Sequence, residues 1–454
     1  MDVAVDVVII GGGPAGNRAA TVASTLGAQV TLVEREIVGG AAHLLDCIPS
    51  KAMIATGNEL REFDRAQAMG LSAYAEIDLD ALRYRVEAIE ERLRVSVTTL
   101  LESQGVRIMR GSGRLKGPNE VVVEVEDSIH ELKADAIVLA TGSRPRVPDW
   151  CRVDGERVLI TRDAYPPPEI PEHLVVIGSG VTGVEFTHMF SALGSDVTLI
   201  VSRQQVLPGK DPEAAAVLEE AFLRRGVRLF KGARAEAIER EGESVRVVCD
   251  DGRVAVGSHA VLAVGSVPNS DGLGLDAAGV VMDEAGYVPV NHHLQSNVPH
   301  IYCAGDLSGN LPLSSVATMQ GRKIAEHIMG LHTREHRHLD YDKAASAIFT
   351  DPEIADVGLA EADAFSMGRK VRVTKVPFSA NAKALIEGDS RGFVKIISDP
   401  ATGVVLGGSI VGRHAAEMIS VIAVAVTNNL TVTDIVDSLL VHPALAESVT
   451  DAAE

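Results

Sequence analysis

Two stretches of the chain alternate short apolar runs with helix-periodic segments, which is the pattern of βαβ units. The first predicts strand, helix and strand at 3–10, 14–26 and 29–33, and the second repeats that order at 174–177, 180–193 and 196–201. Apolar runs bounded by glycine are typical of strands buried on both faces of a parallel sheet. The repeat is of domain size, so it predicts two nucleotide-binding units rather than a solenoid.

The remaining patterns predict a further, mixed domain. Strands are expected at 121–125, 136–139, 298–303, 393–397 and 404–411, helices at 415–426 and 433–438, and a last helix opened by Pro443. Residues 59–103 are helix-periodic, and their solvated face is expected to carry Glu87, Glu90, Glu91, Arg92 and Arg94. Prolines at 166–168 and a polar stretch at 332–343 mark boundaries. The fold class predicted is α/β, with two Rossmann-like dinucleotide-binding domains and a C-terminal α+β domain.

Composition and charge exclude several classes of function. The 454 residues allow about three domains. A net charge of −20 disfavours binding to nucleic acid or to anionic lipid. No apolar run approaches the ~20 residues of a membrane span, and four cysteines are too few for a disulfide scaffold. Since no basic leader precedes the first strand, we expect a cytoplasmic protein.

The first glycine motif predicts a dinucleotide site. It reads G-x-G-x-x-G between a strand and a helix, with its glycines at Gly11, Gly13 and Gly16. Glycines there permit a tight turn and let the backbone approach a pyrophosphate at the helix N-terminus. Glu34 ends the next strand, at the place where a carboxylate would hold a ribose hydroxyl.

The second motif has the same form, but the acidic residue expected at the end of the following strand is missing. Its glycines are Gly178, Gly180 and Gly183. Val201 stands where an acid would be expected, and Ser202 and Arg203 follow it. An arginine with a hydroxyl can bind a 2′-phosphate, so this unit is predicted to accept NADP as well as NAD. The alternative is that Arg203 is only a solvated loop residue. Two such sites suggest two cofactors that exchange electrons, of which one is a flavin.

Four further segments resemble the flavoprotein disulfide reductases, the family of dihydrolipoamide dehydrogenase and glutathione reductase. They are GGAAHLLDCIPSK at 39–51, AGD at 304–306, TDPE at 350–353 and HPALAE at 442–447. The resemblance implies a homodimer in which an FAD domain (1–148 and 271–340) surrounds an NAD(P) domain (149–270) and precedes a dimerisation domain (341–454). It also implies further cofactor contacts at Gly40, Lys51, Gly113, Thr141, Gly142, Asp306 and Ser315 for FAD, and at Gly265 for NAD(P).

One departure from the family pattern decides the expected function. The family's redox segment carries two cysteines, and here Ala42 takes the place of the first, so that only Cys47 remains. Thiol–disulfide exchange needs an attacking thiolate and a resolving partner. Disulfide reduction is therefore expected to be absent. The chain resembles an LpdA-type subgroup that shares this loss, which implies NAD(P)H:quinone oxidoreductase activity.

The resemblance also implies the residues that carry the chemistry. Lys51 and Glu185 would form an ion pair that tunes the flavin, and His442 with Glu447 would form a proton-transferring dyad. Pro49 is expected to lie in a first helical turn, which would place Cys47 at a helix N-terminus where a thiolate is favoured. Cys47 is either a thiolate donor to the flavin or a packing residue.

Other functions stay open at this point. They are an NAD(P) transhydrogenase, a dihydrolipoamide dehydrogenase-like enzyme that acts through Cys47 alone, and a flavin-bearing redox sensor. His332, His336 and His338 have no cysteine or paired carboxylate to complete a ligand set, so no metal is expected. Cys303 lies in an apolar strand and is expected to be an inert core residue.

Overall fold

The computed structural model describes residues 4–66, 69–72, 74–331 and 339–454. The chain forms two compact units. The first unit comprises Met1–Ser50, Arg83–Arg146 and Ser266–Tyr341, and the second comprises Lys51–Leu82, Val147–Gly265 and Asp342–Glu454.

The secondary structure alternates strands and helices over most of the chain. The strands are β1 (Asp6–Ile10), β2 (Gln29–Glu34), β3 (Arg107–Arg110), β4 (Ser112–Gly117), β5 (Glu120–Val125), β6 (Ser128–Lys133), β7 (Ala136–Leu139), β8 (Ser143–Pro145), β9 (Val158–Ile160), β10 (His173–Ile177), β11 (Asp196–Val201), β12 (Arg228–Lys231), β13 (Ala235–Glu241), β14 (Ser244–Cys249), β15 (Val254–Gly257), β16 (His259–Leu262), β17 (Ser266–Pro268), β18 (Ile301–Cys303), β19 (Ser346–Ile348), β20 (Glu353–Gly358), β21 (Arg372–Pro377), β22 (Phe393–Ser398) and β23 (Val405–Gly412). The helices are α1 (Pro14–Thr25), α2 (Ile48–Ala66), α3 (Leu79–Ser103), α4 (Val181–Ala192), α5 (Pro212–Arg224), α6 (Leu275–Ala278), α7 (Ser314–Ile328), α8 (Glu361–Ser366), α9 (Ala382–Ile386), α10 (Ala415–Asn428), α11 (Val432–Val436) and α12 (Glu447–Ala453).

The first unit is built on a parallel sheet in the order β18-β7-β1-β2-β3. Its central strand β1 pairs in parallel with β2 and β7 and is buried from Val7 to Ile10. The helix α1 packs through small residues, since a side chain at Gly321 of α7 would overlap the Ala15 carbonyl of α1. This close helix packing holds the start of α1 against the sheet that carries the first glycine motif.

The second unit contains three sheets, of which the smallest is the antiparallel sheet β13-β14-β15. A parallel sheet runs in the order β12-β11-β10-β16-β9, and an antiparallel sheet runs in the order β19-β20-β23-β22-β21. The helices α10 and α12 contribute to the core of the antiparallel sheet, where Ile410, Ile422 and Val449 are fully buried. The α/β fold class with a C-terminal α+β part is therefore confirmed.

The helix-periodic stretch 59–103 comprises the end of α2 and the whole of α3, and Gly70, whose φ is +81°, lies between the two helices. Several predicted element boundaries are wrong. Within the described residues β1 starts at Asp6 rather than at position 3, and β18 is limited to Ile301–Cys303. The last helix begins at Glu447, and Pro443 lies in a bend before it. No helix in the described ranges is long and apolar enough to cross a membrane.

Candidate active site

The first glycine motif forms the tight turn between β1 and α1. Gly11 has a φ of +109°, and a Cβ there would overlap the Ala140 carbonyl, while a Cβ at Gly16 would overlap the carbonyl of Gly11. Gly13 caps α1, and a side chain at Gly40 would collide with the Gly13 backbone. The glycines are thus required by close backbone packing at the helix N-terminus, where a phosphate is favoured.

Glu34 lies at the end of β2 with its carboxylate fixed by the backbone. Its Oε2 accepts a hydrogen bond from the Gly12 N–H at 2.6 Å, and its Oε1 accepts one from the Glu36 N–H at 2.7 Å. Each carboxylate oxygen retains acceptor capacity for a ribose hydroxyl. The arrangement fits the sugar end of a dinucleotide.

The other predicted flavin contacts of the first unit lie after β7, after β18, in β4 and in α7. Ser143 Oγ donates to Asp306 Oδ2 at 2.5 Å, which orients the carboxylate that follows β18. Thr141 and Asn269 exchange two hydrogen bonds, of 2.8 and 2.9 Å, beside Gly142. The two remaining predicted contacts, Gly113 and Ser315, lie in β4 against Val33 and in the first turn of α7.

Two buried polar atoms near the Gly13–Gly40 contact have no protein partner among the described residues. They are Oδ1 of Asn17, one turn into α1, and Nδ1 of His43. Burial also lowers the pKa of His43. Buried polar atoms are nearly always hydrogen-bonded, so unsatisfied groups at this position fit a segment built around a bound polar molecule. The residues present therefore fit FAD.

The second glycine motif repeats the geometry of the first within the second unit. A Cβ at Gly178 would overlap the Ala263 carbonyl, and one at Gly183 would overlap the Gly178 carbonyl. Gly180 caps α4, and no protein atom lies within 4 Å of a Cβ built on Gly180 or on Gly265. The open space leaves room for a phosphate at the start of α4.

The end of β11 carries no acidic residue, as the sequence already indicated. Val201 is buried at the strand end, whereas Ser202 and Arg203 are exposed. The Arg203 carbonyl accepts a hydrogen bond from the Gly232 N–H at 2.9 Å, which fixes the loop. Its guanidinium forms no ion pair with any residue that the structure describes.

Lys51 and Glu185 come together between α2 and α4, although 134 residues separate them in sequence. Lys51 Nζ lies 2.7 Å from Glu185 Oε2, and the Glu185 side chain is only 7% exposed. The Phe349 N–H donates to Glu185 Oε1 at 3.0 Å, and Lys51 Nζ lies 5.2 Å from the centre of the Phe349 ring. Sequence reasoning missed Phe349, which follows β19 and carries no motif of its own.

Cys47 does not lie at a helix N-terminus, so that prediction is wrong. The helical segment begins before it, with a π-helical turn over Ala42–Cys47 that runs directly into α2. The helix dipole acts within the first turn, so it gives a thiolate at Cys47 little support. π-Helical turns are rare and often occur at functional sites, which keeps both interpretations of Cys47 open.

The other three cysteines are buried. The four cysteines all lie in the described part of the chain, and none forms a disulfide. Burial, with the Asp154 charge second, raises the pKa of Cys151 to about 11. Burial raises the pKa of Cys303 further, and it also raises that of Cys249. The expectation of a buried, unreactive Cys303 agrees with this environment.

His442 and Glu447 form the predicted pair. His442 Nδ1 lies 2.6 Å from Glu447 Oε1, and the Ala444 N–H donates to Glu447 Oε2 at 2.8 Å. The Ala444 N–H and then the His442 ring lower the pKa of Glu447. An ionised Glu447 accepts a hydrogen bond from the Nδ1–H of His442, which leaves Nε2 of this 74% exposed side chain as the ring nitrogen for proton transfer.

One acidic cluster of the described residues encloses a lysine side chain. Asp211, Glu213 and Glu361 surround the buried Lys395 Nζ at 2.7, 2.5 and 2.8 Å. A lysine thereby takes the place of a metal ion in this cluster. The histidines of 332–338 lie outside the described residues.

Comparisons with known proteins place the chain among flavoenzymes. It is 40% identical to the NAD(P)H dehydrogenase (quinone) of Mycobacterium tuberculosis, over 98% of this chain and 93% of that protein. It is 36% identical to the dihydrolipoyl dehydrogenase of Chlamydia muridarum, over 98% and 96% of the two chains. The crystal structure of LpdA from Mycobacterium tuberculosis matches with a TM-score of 0.94 at 40% identity, covering 99% of both chains.

The family model for pyridine nucleotide-disulphide oxidoreductases matches residues 5–321, and the model for their dimerisation domain matches residues 344–453. The predicted resemblance, the oxidoreductase class and the use of FAD with NAD(P)H are thereby confirmed. The chain belongs to the pyridine nucleotide-disulphide oxidoreductase family.

Proposed function

We propose that the protein is an NAD(P)H dehydrogenase that delivers electrons from bound FAD directly to a quinone, without dithiol chemistry. The observation that carries this is Ala42, a methyl group where the family has its exchanging thiol, in a chain that keeps both charged pairs of the site. The M. tuberculosis relative is named for the same acceptor, and that name supports the proposal.

The first unit would hold FAD and the second would hold NAD(P)H. The loops at Gly11–Gly16, Glu34 and Asp306 would bind the pyrophosphate, the ribose and the ribityl chain of FAD. Bound FAD supplies two-electron chemistry toward the nicotinamide and one- or two-electron chemistry toward the acceptor. The fingerprint at Gly178–Gly183 would bind the nicotinamide cofactor, with Ser202 and Arg203 beside its 2′-position.

The charged pairs would serve electron and proton transfer. Glu185 is held by the Phe349 N–H and pairs with Lys51, so the Lys51 ammonium lies beside an anchored carboxylate. A fixed cation stabilises nearby negative charge as it develops. His442, oriented by Glu447, would deliver protons that the reduced quinone needs.

We propose that the protein works as a homodimer in the cytoplasm. Leu439 is fully exposed and Val441 is 75% exposed, and both lie beside His442 in the part of the chain that matches the dimerisation domain. Apolar side chains clustered on a surface favour burial by a partner. A second copy covering this segment would place His442 at the partner's site.

The acceptor is tested directly by comparing quinones with disulfides. We expect the purified protein to reduce menadione with NADPH and to leave lipoamide and glutathione disulfide unreduced. The reason is that Ala42 cannot attack a disulfide, and burial keeps the Cys151 and Cys303 thiols protonated at neutral pH. The measurement is steady-state oxidation of NADPH with each acceptor.

The variant Cys47→Ser is expected to keep menadione reduction within about tenfold of the wild-type rate, which corresponds to ~1.4 kcal/mol. Cys249→Ser, in a buried strand, is the matched control. Lipoamide reduction by the wild type that disappears in Cys47→Ser would show a single-cysteine route and overturn the proposal.

NADPH is expected to be used at least comparably to NADH. Arg203→Ala removes the cation next to the acid-free position, and loss of a charge-assisted contact costs ~1.5–3 kcal/mol, or roughly 10–150-fold in affinity. We expect the Michaelis constant for NADPH to rise by that factor while the constant for NADH stays within twofold. Arg224→Ala, at an exposed arginine of α5, is the control. Equal rises for both cofactors would show that Arg203 does not bind the 2′-phosphate.

Transhydrogenation is the second function that the site supports, because it also needs no dithiol. It would appear as NADPH oxidation that depends on added NAD and not on menadione. Slow oxidation with every acceptor would instead indicate a redox sensor, which the retained Lys51–Glu185 and His442–Glu447 pairs disfavour.

A further inference from the structure

The helices α2 and α4 touch at a second polar contact besides Lys51–Glu185. Asn58 of α2 lies two turns after Lys51, and its Oδ1 lies 2.8 Å from Nε2 of His188, which lies one turn after Glu185. Gly57 brings the helices close, since a Cβ there would stand 3.0 Å from the Ala192 methyl group. Two contacts, one charged and one neutral, therefore align the two helices.

The protonation state of His188 is determined by its second partner. Arg225 Nη1 lies 2.9 Å from His188 Nδ1, and because arginine only donates, Nδ1 must accept. The proton is thus on Nε2 and is donated to Asn58 Oδ1. Burial, with the Arg225 charge second, lowers the pKa of His188 to about 3. His188 is neutral and fixed in one tautomer over the physiological range.

Both helix contacts are anchored to the same short loop, residues 349–352 between β19 and β20. At its start, the Phe349 N–H holds Glu185 at 3.0 Å. Two residues later, Asp351 Oδ2 holds Arg225 Nη2 at 2.7 Å, and Arg225 in turn holds His188. The loop therefore fixes the charged contact directly and the neutral contact through one arginine.

The geometry points to Asn58 and His188 as positioning residues that fix the Lys51 ammonium, and we propose that they set the reduction equilibrium of the bound flavin through Lys51. This inference rests on the proposed role of Lys51. Lysine has four rotatable bonds, so a contact on the same face of α2 that prevents the helix from shifting restricts where its charge can lie. Neither Asn58 nor His188 belongs to a motif that sequence reasoning identified.

The test compares three substitutions at Asn58 in the FAD-loaded protein. Asn58→Leu has a similar volume and removes the acceptor of the His188 proton, whereas Asn58→Asp keeps a carboxylate acceptor there. Asn58 lines a cavity of about 220 Å³, so Asn58→Ala admits water and is the substitute if the leucine variant does not fold. Thr56→Val is the matched control on α2, because the Thr56 hydroxyl, within the described part of the chain, bonds only to the Ala52 carbonyl of its own helix.

We expect Asn58→Leu or Asn58→Ala to disfavour reduction of the bound flavin about tenfold in equilibrium against a reference dye, which is about 30 mV for a two-electron couple. Asn58→Asp should restore the wild-type equilibrium, Thr56→Val should not change it, and the Michaelis constant for NADPH should stay within twofold in all. A lower melting temperature with an unchanged reduction equilibrium would overturn the proposal, because a purely structural contact gives that result.

A Lys51→Met variant distinguishes the positioning role of Asn58 from the flavin-tuning role of Lys51. A shift in Lys51→Met without a shift in Asn58→Leu would refute the positioning role alone. An unchanged equilibrium in Lys51→Met would refute both the positioning role and the flavin-tuning part of the proposed function, while quinone reduction would remain testable by itself.

Discussion

Replacing His442 by alanine is expected to lower menadione turnover by roughly 10²–10⁴-fold, the usual contribution of a positioned general acid. Glu447 is ionised and held by two hydrogen bonds, so it keeps His442 in the tautomer whose Nε2 faces outward. The measurement is steady-state turnover together with rapid-mixing reduction of the flavin by NADPH. Only turnover should fall, because the proton is needed at the acceptor and not at the nicotinamide.

Two comparisons make the His442 result specific. His130→Ala removes an exposed histidine of β6 whose ring, among the residues that the structure describes, bonds to Ser128, and it should change turnover less than twofold. Added imidazole should restore part of the rate in His442→Ala and none in His130→Ala. Wild-type turnover in His442→Ala would mean that water supplies the protons and that the dyad has no catalytic role.

The second large effect is expected on stability, from Asp351→Asn. The Asp351 side chain is 15% exposed and contacts four guanidinium groups at 2.5–3.1 Å, those of Arg61, Arg65, Arg225 and Arg391. Removing one partner of a buried ion pair typically costs ~3–5 kcal/mol, because the remaining charges are left uncompensated. We expect a loss of that size in the free energy of unfolding, measured by denaturant titration.

The pH dependence of the Asp351 effect has a definite sign. Burial alone would raise the pKa of Asp351, but the charges of Arg391, Arg225 and Arg65 overcome it and hold that pKa well below its usual value. A lowered pKa stabilises the folded state above the unfolded-state pKa of about 3.9, and the stabilisation is lost as the pH falls through the folded value. The difference between wild type and Asp351→Asn should therefore be constant from pH 5 to 8 (about the range of maximal stability) and shrink below about pH 4.

Asp271→Asn is the matched control for Asp351. Asp271 pairs with Arg144 at 2.6 Å, but its side chain is 79% exposed. Exposed ion pairs contribute about 0–1 kcal/mol, so this variant should unfold close to wild type. Equal destabilisation by both substitutions would show that burial of the arginine cluster does not matter.

Features that depend on neighbouring residues were predictable from the amino-acid sequence. The two glycine motifs, Glu34 at a strand end and the acid-free position at Val201 are all local, because a strand, a tight turn and a helix follow one another within about 25 residues. The missing thiol at Ala42 is likewise local. The domain boundaries and the roles assigned to individual residues stay predictions.

The pairing of distant charges depends on the folded chain. The sequence contains 42 basic and 62 acidic side chains, and no local pattern selects Asp351 as the partner of four arginines or His188 as the partner of Asn58. Lys51 and Glu185 were paired from the family resemblance, but their anchor at Phe349 was not foreseen. The π-helical turn before α2, which moved Cys47 away from a helix N-terminus, also escaped prediction. These features arise from packing between segments far apart in sequence, where backbone propensity carries no information about the partner.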